Sequence, residues 1–386
     1  MTPPRKAPSL LSYVDKGEAA ARWPKIALFK SFATAHRGAG GGTVDKRSKN
    51  GRRATIVDVG RHAGVSAKTV SRVFNGAPHV SDAIRERVHA VARELNYHPN
   101  VLAQALVRRR SHLIGLVYEK PSASYVVELQ RGVLERLQDE RYRLVVFPLS
   151  SIAQKPNELV GLVRSAALDG VVLAPPASDN IQILEDLSAA GISFARIAPT
   201  RRLDLEPNNM IDDVAAAREI AEHVIGLGHR KLGIIKGDPS HAATEARLLG
   251  YGQAFHAAGI AMRLDWVEQG LFTRESGHAA GLRLLQGRDR PTAILAQNDD
   301  MAVGALLAAR ELGLDVPRDL SIVGFDDSEV SQISWPRITT VRQPVFEMAA
   351  AAADMVIAQL DGRDFASNRE HFHQLVIRES AGPVPA

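Results

Sequence analysis

The sequence predicts an α/β protein, with a small all-α unit of three short helices ahead of a larger body built from parallel β-sheets. Three observations carry this. Between residues 55 and 95, apolar residues recur at helical spacing in three runs, broken by Gly64 and by "NGAPHV". After His112, short apolar runs alternate with helix-length segments, the order that builds parallel sheets. At 386 residues the chain is also more than twice a typical domain, so several folding units are expected.

In the first unit, Thr55 with Asp58 three places on reads as a capping box, and Ile56, Val59 and Ala63 give the first helix its apolar stripe. Gly64 supplies the tight turn, and Ser66 caps a second helix whose inward stripe is Val70, Val73 and Phe74. The opposite face carries Lys68 and Arg72 four residues apart, with Thr69 and Ser71 alongside. Ser81 is read as the cap of a third helix, in which Ile84, Val88, Val91 and Leu95 close a miniature core. Helix, glycine turn, helix, helix is the pattern of a helix-turn-helix, whose second helix enters the major groove of DNA. Lys68 and Arg72 would there offer donors to guanine edges or phosphates.

Charge separates the same parts. Residues 1–54 carry 12 Lys+Arg against 3 Asp+Glu, residues 55–110 carry 9 against 4, and residues 111–386 carry 27 against 36. A basic front on an acidic body points to a polyanion held at one end, because phosphate neutralisation supplies most non-specific nucleic-acid affinity. For residues 1–54 alone, a solubilising tail is the competing reading. Their Gly-rich stretch "HRGAGGGTVDKRSKNGRR" reads as a basic linker, and the segment is expected to be a disordered tail.

Several function classes drop out. No run approaches the roughly 20 apolar residues of a membrane helix, so no membrane partner is expected. Zero cysteines exclude disulfides and thiol catalysis. The N-terminus lacks the apolar block of a signal peptide, and a cytoplasmic protein is expected. There is no P-loop, G-x-S-x-G elbow, H-E-x-x-H or dinucleotide fingerprint, so neither enzyme nor cofactor nor metal is expected. The carboxylate pairs Asp299/Asp300 and Asp326/Asp327 are each read as one ligand-facing and one structural group, because adjacent side chains at a strand end point in different directions.

Directly after the third helix comes "NYHPNVLAQALVRRRS", where Pro99 opens a helix of two turns, too short to be stable alone. Together, "TIVDVGRHAGVSAKTVSRVFNG" and "NYHPNVLAQALVRRRSHLIGLV" resemble the lactose-repressor (LacI/GalR) family of bacterial transcription regulators, and the likeness runs over residues 55 to 380. The resemblance implies a helix-turn-helix domain at 55–99, a hinge helix and linker at 100–111, and an effector-binding and dimerisation body at 112–386. It implies Leu106 as a wedge pushed between base pairs of the minor groove, bending the duplex. Base reading would fall to Ala67, Lys68 and Arg72. The other DNA-facing positions would be Thr55, Ser66, Thr69, Ser71, Asn75, His79, Ser81 and Asn100, contacts of the kind that position without reading sequence. The implied partners are a palindromic double-stranded operator and a second copy of the chain; no leucine heptad follows the body, so a dimer is expected over a tetramer.

In the body, "LIGLVY", "RLVVFPL", "DGVVLAPP", "SFARIA", "KLGIIKGD", "TAILAQND" and "LSIVGFDD" read as strands, with helices over 125–141, 212–228, 244–259 and 300–312. They fit one doubly wound sheet or two sheets side by side. The resemblance implies two, the hinged two-lobed fold of periplasmic sugar-binding proteins. In open α/β sheets ligands sit beyond the carboxyl ends of strands, where this chain places Asn298 and Asp326.

By resemblance the effector-binding set is Arg247, Asn298, Asp326 and Gln343, with the aromatics Tyr125 and Phe272 on the pocket wall; His241 is added as a further hydrogen-bonding group. Carboxylate and amide oxygens that accept from vicinal hydroxyls, beside a guanidinium that donates, suit a sugar. A nucleobase or a phosphorylated metabolite is the alternative effector, and a transport-type solute-binding protein the alternative function. "YEKPSASY" departs from the family pattern, so Tyr118 and Glu119 are expected to alter the pocket wall. The function implied is that of a repressor whose operator affinity a small molecule controls, by coupling rather than catalysis.

Overall fold

The computed structural model describes residues 54–74, 77–97, 110–119, 122–149 and 158–385. They belong to two compact units that part between Tyr97 and His98. Asn75, Asn100, Leu106, most of the linker at 100–111 and all but the last residue of the basic tail lie outside the described residues.

The first unit has helices α1 (Ile56–Ala63), α2 (Ala67–Phe74) and α3 (Asp82–Glu94). The capping box forms: the Thr55 amide donates to Asp58 Oδ2 at 2.9 Å, and Thr55 Oγ1 accepts the Asp58 amide at 3.4 Å. Gly64 ends α1 at φ 65°, a left-handed conformation that a Cβ would strain. Ser66 Oγ accepts the Thr69 amide at 3.0 Å and starts α2. Val59, Ala63, Val70, Val73, Val88 and Ala92 form the core, edged by the rings of Phe74, His89 and Tyr97. Ser81 departs from expectation. Its backbone takes the cap conformation, but its side chain makes no cap hydrogen bond; its carbonyl holds the first turn, accepting the Ile84 and Arg85 amides at 3.0 Å.

The second unit has two lobes. The first contains β1 (Leu113–Glu119), α4 (Ala123–Leu137), β2 (Arg143–Leu149), α5 (Glu158–Ser165), β3 (Gly170–Leu173), α6 (Ile181–Ala189), β4 (Ser193–Ile197) and β5 (Asn208–Met210). The second contains α7 (Asp213–Gly226), β6 (Leu232–Lys236), α8 (Ala242–Ala257), β7 (Val267–Gln269), α9 (Arg274–Leu285), β8 (Ala293–Ala296), α10 (Asp299–Glu311), β9 (Ser321–Val323), α11 (Glu329–Ile333) and β10 (Thr340–Arg342). The chain then returns with α12 (Val345–Asp361), which packs against α4, β3 and β4, and with β11 (Asn368–Glu370), before ending at β12 (Gln374–Val376) on β10.

The first sheet runs β11-β5-β4-β3-β1-β2 and the second β7-β6-β8-β9, with parallel pairing throughout both. The seven sequence-predicted strands all form, divided between two sheets. Three crossings join the lobes: β5 to α7, β10 to α12, and β11 to β12. Helices on both faces leave β3 and β8 buried at every residue, and GVVL and AILA are accordingly apolar without alternation.

The linker enters on the first lobe. Asp169 receives the Ser111 and His112 amides at 2.8 Å each, and Arg110 donates to the Leu360 carbonyl at the end of α12 at 2.5 Å. Among the described residues no helix is long and apolar enough to cross a membrane.

Candidate functional site: a cleft between the lobes and an exposed recognition helix

The cleft lies where strands of both lobes end. Ser122 and Tyr125 follow β1, Pro175 follows β3, and Ala198 follows β4; from the other lobe His241 follows β6, Phe272 β7, Asn298 β8, Asp326 β9 and Gln343 β10. With Asp213, Ala243 and Arg247 they enclose about 530 Å³ of open space, mouth included. All seven residues nominated from sequence line this one cavity. This is the position a parallel α/β sheet gives to a ligand.

Arg247 stands at the centre, 5% exposed. Its Nε donates to Asp213 Oδ1 at 2.9 Å and its Nη1 to the Gln297 carbonyl at 2.5 Å, while Asp326 Oδ1 lies 3.8 Å from Nη1. The guanidinium rests 3.7 Å above the Phe325 ring. Burial disfavours its charge, but Asp213 and Asp326 outweigh that and hold its pKa above the ordinary value.

Asp326 sits at φ 110°, a region that disfavours side chains, and its amide is pinned by the Val341 carbonyl at 2.8 Å. That backbone aims the carboxylate into the cleft, where Gln343 Nε2 donates to Oδ1 at 2.6 Å. Burial pushes the Asp326 carboxyl up to about 7, against the opposing pull of Arg247 and Gln343. Gln343 Oε1 is buried with no hydrogen-bond partner. A buried acceptor left unpaired is costly, and a ligand donor would satisfy it.

The aromatic wall is built by close approach. Phe272, at φ 58°, lies so near Gly237 that a Cβ there would come within 2.0 Å of the ring, and His241 meets the same ring edge-on at 5.3 Å. Burial lowers the His241 pKa and favours the neutral imidazole. Asn298 has a structural duty as well: it caps α10 by accepting the Met301 amide at 3.0 Å and donates to the Phe272 carbonyl at 3.1 Å.

Sequence reasoning missed Asp213, Ser122, Pro175, Ala198 and Ala243. The signal for Asp213 was present in "IDDVAA". Asp212 caps α7, accepting the Ala215 amide at 2.9 Å, and the second acid turns inward to Arg247. Tyr118 and Glu119, expected on the pocket wall, do not line the cleft; Tyr118 packs against the main core instead.

In the pair Asp326/Asp327, the first faces the cleft and the second is bound by Arg342 at 2.6 Å and by Arg378. In Asp299/Asp300 neither lines the cleft, because Asn298 already occupies the strand end and the next residues begin α10. Asp299 is buried and accepts from Thr340 Oγ1 at 2.6 Å and from the Ser328 amide at 2.7 Å. Among the described residues no group of three His, Asp or Glu is placed to hold a metal ion.

Burial pushes the Asp299 carboxyl up to about 8, with Asp326 adding to the rise. The folded protein therefore binds a proton that the unfolded chain releases near pH 4, so this group's contribution falls as pH rises from about 4 to 8 and is level above. Asp299→Asn flattens that slope, as urea midpoints between pH 5 and 8 will show.

On the first unit, Lys68 and Arg72 are exposed on the face of α2 opposite Val70 and Val73. Ala67, Thr69 and Ser71 flank them, half-buried, while Ser66, His79 and Ser81 are exposed. The Thr55 hydroxyl donates to Asp58 Oδ2 at 2.7 Å, within the cap.

The profile of bacterial regulatory proteins of the lacI family matches residues 55–100, and that of the periplasmic binding protein-like domain matches residues 221–381. The HTH-type transcriptional regulator DegA of Bacillus subtilis (strain 168) is 34% identical over 335 residues, covering 86% of this chain and 99% of the relative. The structure of the lac repressor dimer bound to operator and the anti-inducer ONPF superposes with TM-score 0.77 at 28% identity, covering 86% of this chain and all of the other. The complex of the transcriptional regulator CelR with cellobiose does so with TM-score 0.64 at 30% identity, covering 85% and 100%. The three-helix reader, the two parallel-sheet lobes and these matches agree: the chain belongs to the LacI family, non-enzymatic DNA-binding transcription regulators under effector control.

Proposed function

We propose that this regulator is a repressor that binds a palindromic operator as a homodimer, and that a sugar held in the cleft between its lobes controls that binding. The observation that carries the sugar reading is the placing of Asp326 and the unpaired Gln343 Oε1 beside Arg247, in a cavity that Phe272 and Tyr125 also line. Adjacent acceptors take the donors of vicinal hydroxyls, and a ring stacks on the apolar sugar face. The CelR complex with cellobiose, a relative with a sugar bound, supports the same reading.

Ala67, Lys68 and Arg72 would read bases, and Leu106 would wedge the minor groove. The remaining nominated positions would fix register on the backbone. Coupling follows from the anchorage of the linker's described residues on the first lobe. A ligand that closes or opens the lobes moves the Asp169 and Leu360 anchors of one subunit relative to its partner's, and the spacing of the two linkers changes.

Fluorescence anisotropy of a duplex from the protein's own promoter region, titrated with a panel of monosaccharides and disaccharides, tests this. At least one sugar changes operator occupancy for the wild type, and Asp326→Asn retains operator binding while losing that response. A variant that still responds removes Asp326 from the site, and a wild type that ignores every sugar removes the sugar.

A further inference from the structure

We propose that the cleft accepts an uncharged, hydroxyl-bearing ligand and rejects its phosphorylated or carboxylated analogues, and that Asp213 sets this selectivity by occupying the Arg247 guanidinium. The proposal rests on the sugar reading above and narrows it. Among the described residues that line the cavity, Arg247 is the single permanent cation, against the carboxylates Asp213 and Asp326. A phosphate-binding arginine presents its planar fork to the anion. Here Nε is already given to Asp213 at 2.9 Å, Nη1 to the Gln297 carbonyl at 2.5 Å, and one face is covered by Phe325 at 3.7 Å. His241, the other basic side chain on the wall, is driven toward its neutral form by burial.

The Asp326 and Gln343 side of the cavity shows the opposite preference. Gln343 turns its Nε2 to Asp326 and leaves Oε1 buried and unpartnered, so what faces the ligand there is an amide oxygen beside a carboxylate. The amide oxygen accepts, and above about pH 7 the ionised Asp326 accepts as well, so neither then donates to a phosphate oxygen. An anion in this cleft would lie against two carboxylates in a low-dielectric enclosure, with Nε and Nη1 of Arg247 already engaged and less of the fork left to repay its lost hydration. Hydroxyl groups meet the same wall with donors. The discrimination is of the repulsive kind, built from a carboxylate set against the wrong ligand.

The test uses the full chain, thermal shift and calorimetry. Inorganic phosphate is one probe; the others are the matched pairs ribose with ribose 5-phosphate, glucose with glucose 6-phosphate, and gluconolactone with gluconate. Wild type shows no saturable response to phosphate, and in any pair that binds, the neutral member is at least about tenfold tighter. D213N removes the negative charge paired with the guanidinium and gains saturable stabilisation by phosphate, which the double variant D213N/R247Q loses; D326N, which removes the second carboxylate without touching the Nε contact, gains a smaller response.

The proposal is overturned if the anionic member of any pair binds wild type as tightly as its neutral partner, or if folded D213N and D326N both remain blind to phosphate. Failure of every neutral sugar to bind wild type or to move operator occupancy would defeat the sugar reading alone, because the phosphate gain of D213N is read without any sugar.

Discussion

Arg247→Ala loses the effector response entirely and also lowers the stability of the body by about 3–5 kcal/mol, the cost typical of removing one partner from a buried ion pair. Both effects have one origin. The guanidinium links Asp213 at the first crossing between lobes, the Gln297 carbonyl at the end of β8, and Asp326 at the end of β9. Truncation leaves two buried carboxylates facing each other with no cation between them, and Phe325 without its cover. Urea unfolding followed by near-ultraviolet circular dichroism reads the stability loss. Operator anisotropy with the sugar that moves the wild type reads the response. Asp326→Asn separates the two, since the amide keeps the shape and the hydrogen bond to Gln343 is altered rather than deleted; it costs less stability than Arg247→Ala and still loses the response.

Arg72→Ala and Lys68→Ala each weaken specific operator binding by about 1–3 kcal/mol, the range for a side chain that contacts base edges or phosphates. Neither changes folding measurably. Both side chains are exposed on α2, whereas the core of this unit is made by Val59, Ala63, Val70, Val73, Val88 and Ala92. Salt titration distinguishes their roles. A residue that only neutralises phosphate weakens all duplexes alike and lowers the dependence of log affinity on log salt by close to one charge; a base reader loses affinity for the operator and little for a scrambled duplex. If both variants bind the operator as wild type does, the recognition role of this face is refuted.

Legibility in the sequence followed the range of the forces involved. The three-helix unit was readable almost residue by residue, because its signals are local: the Thr55/Asp58 cap, the glycine at 64 and the apolar spacing of each short helix. Ser81 was the exception, since a cap residue's type does not fix which way its hydroxyl turns. The long strands and four of the body helices were equally plain from apolar runs.

Among the described residues, five of the six three-residue strands, Asn208–Met210, Val267–Gln269, Thr340–Arg342, Asn368–Glu370 and Gln374–Val376, left no such trace. They are too short to show a period, and partners far away in the chain make them strands. Arg196 shows the same limit from the side of charge. Within "SFARIA" it reads as an ordinary strand residue, yet it is fully buried and donates to the carbonyls of Ser178, Arg201, Arg202 and Leu205, knotting the loop beyond Ala198.

The sequence by itself determined the alternation of strands and helices, the helix-turn-helix, the charge division between front and body, and the seven side chains that meet in the cleft. The tertiary structure decided that the strands divide into two sheets, that the chain crosses between the lobes three times, and that Asp213 completes the site while Tyr118 and Glu119 do not. The physical reason is that helix caps and apolar periods act over a few residues and are written where they act. Burial, ion pairing and the direction of a carboxylate depend on what distant segments bring against it.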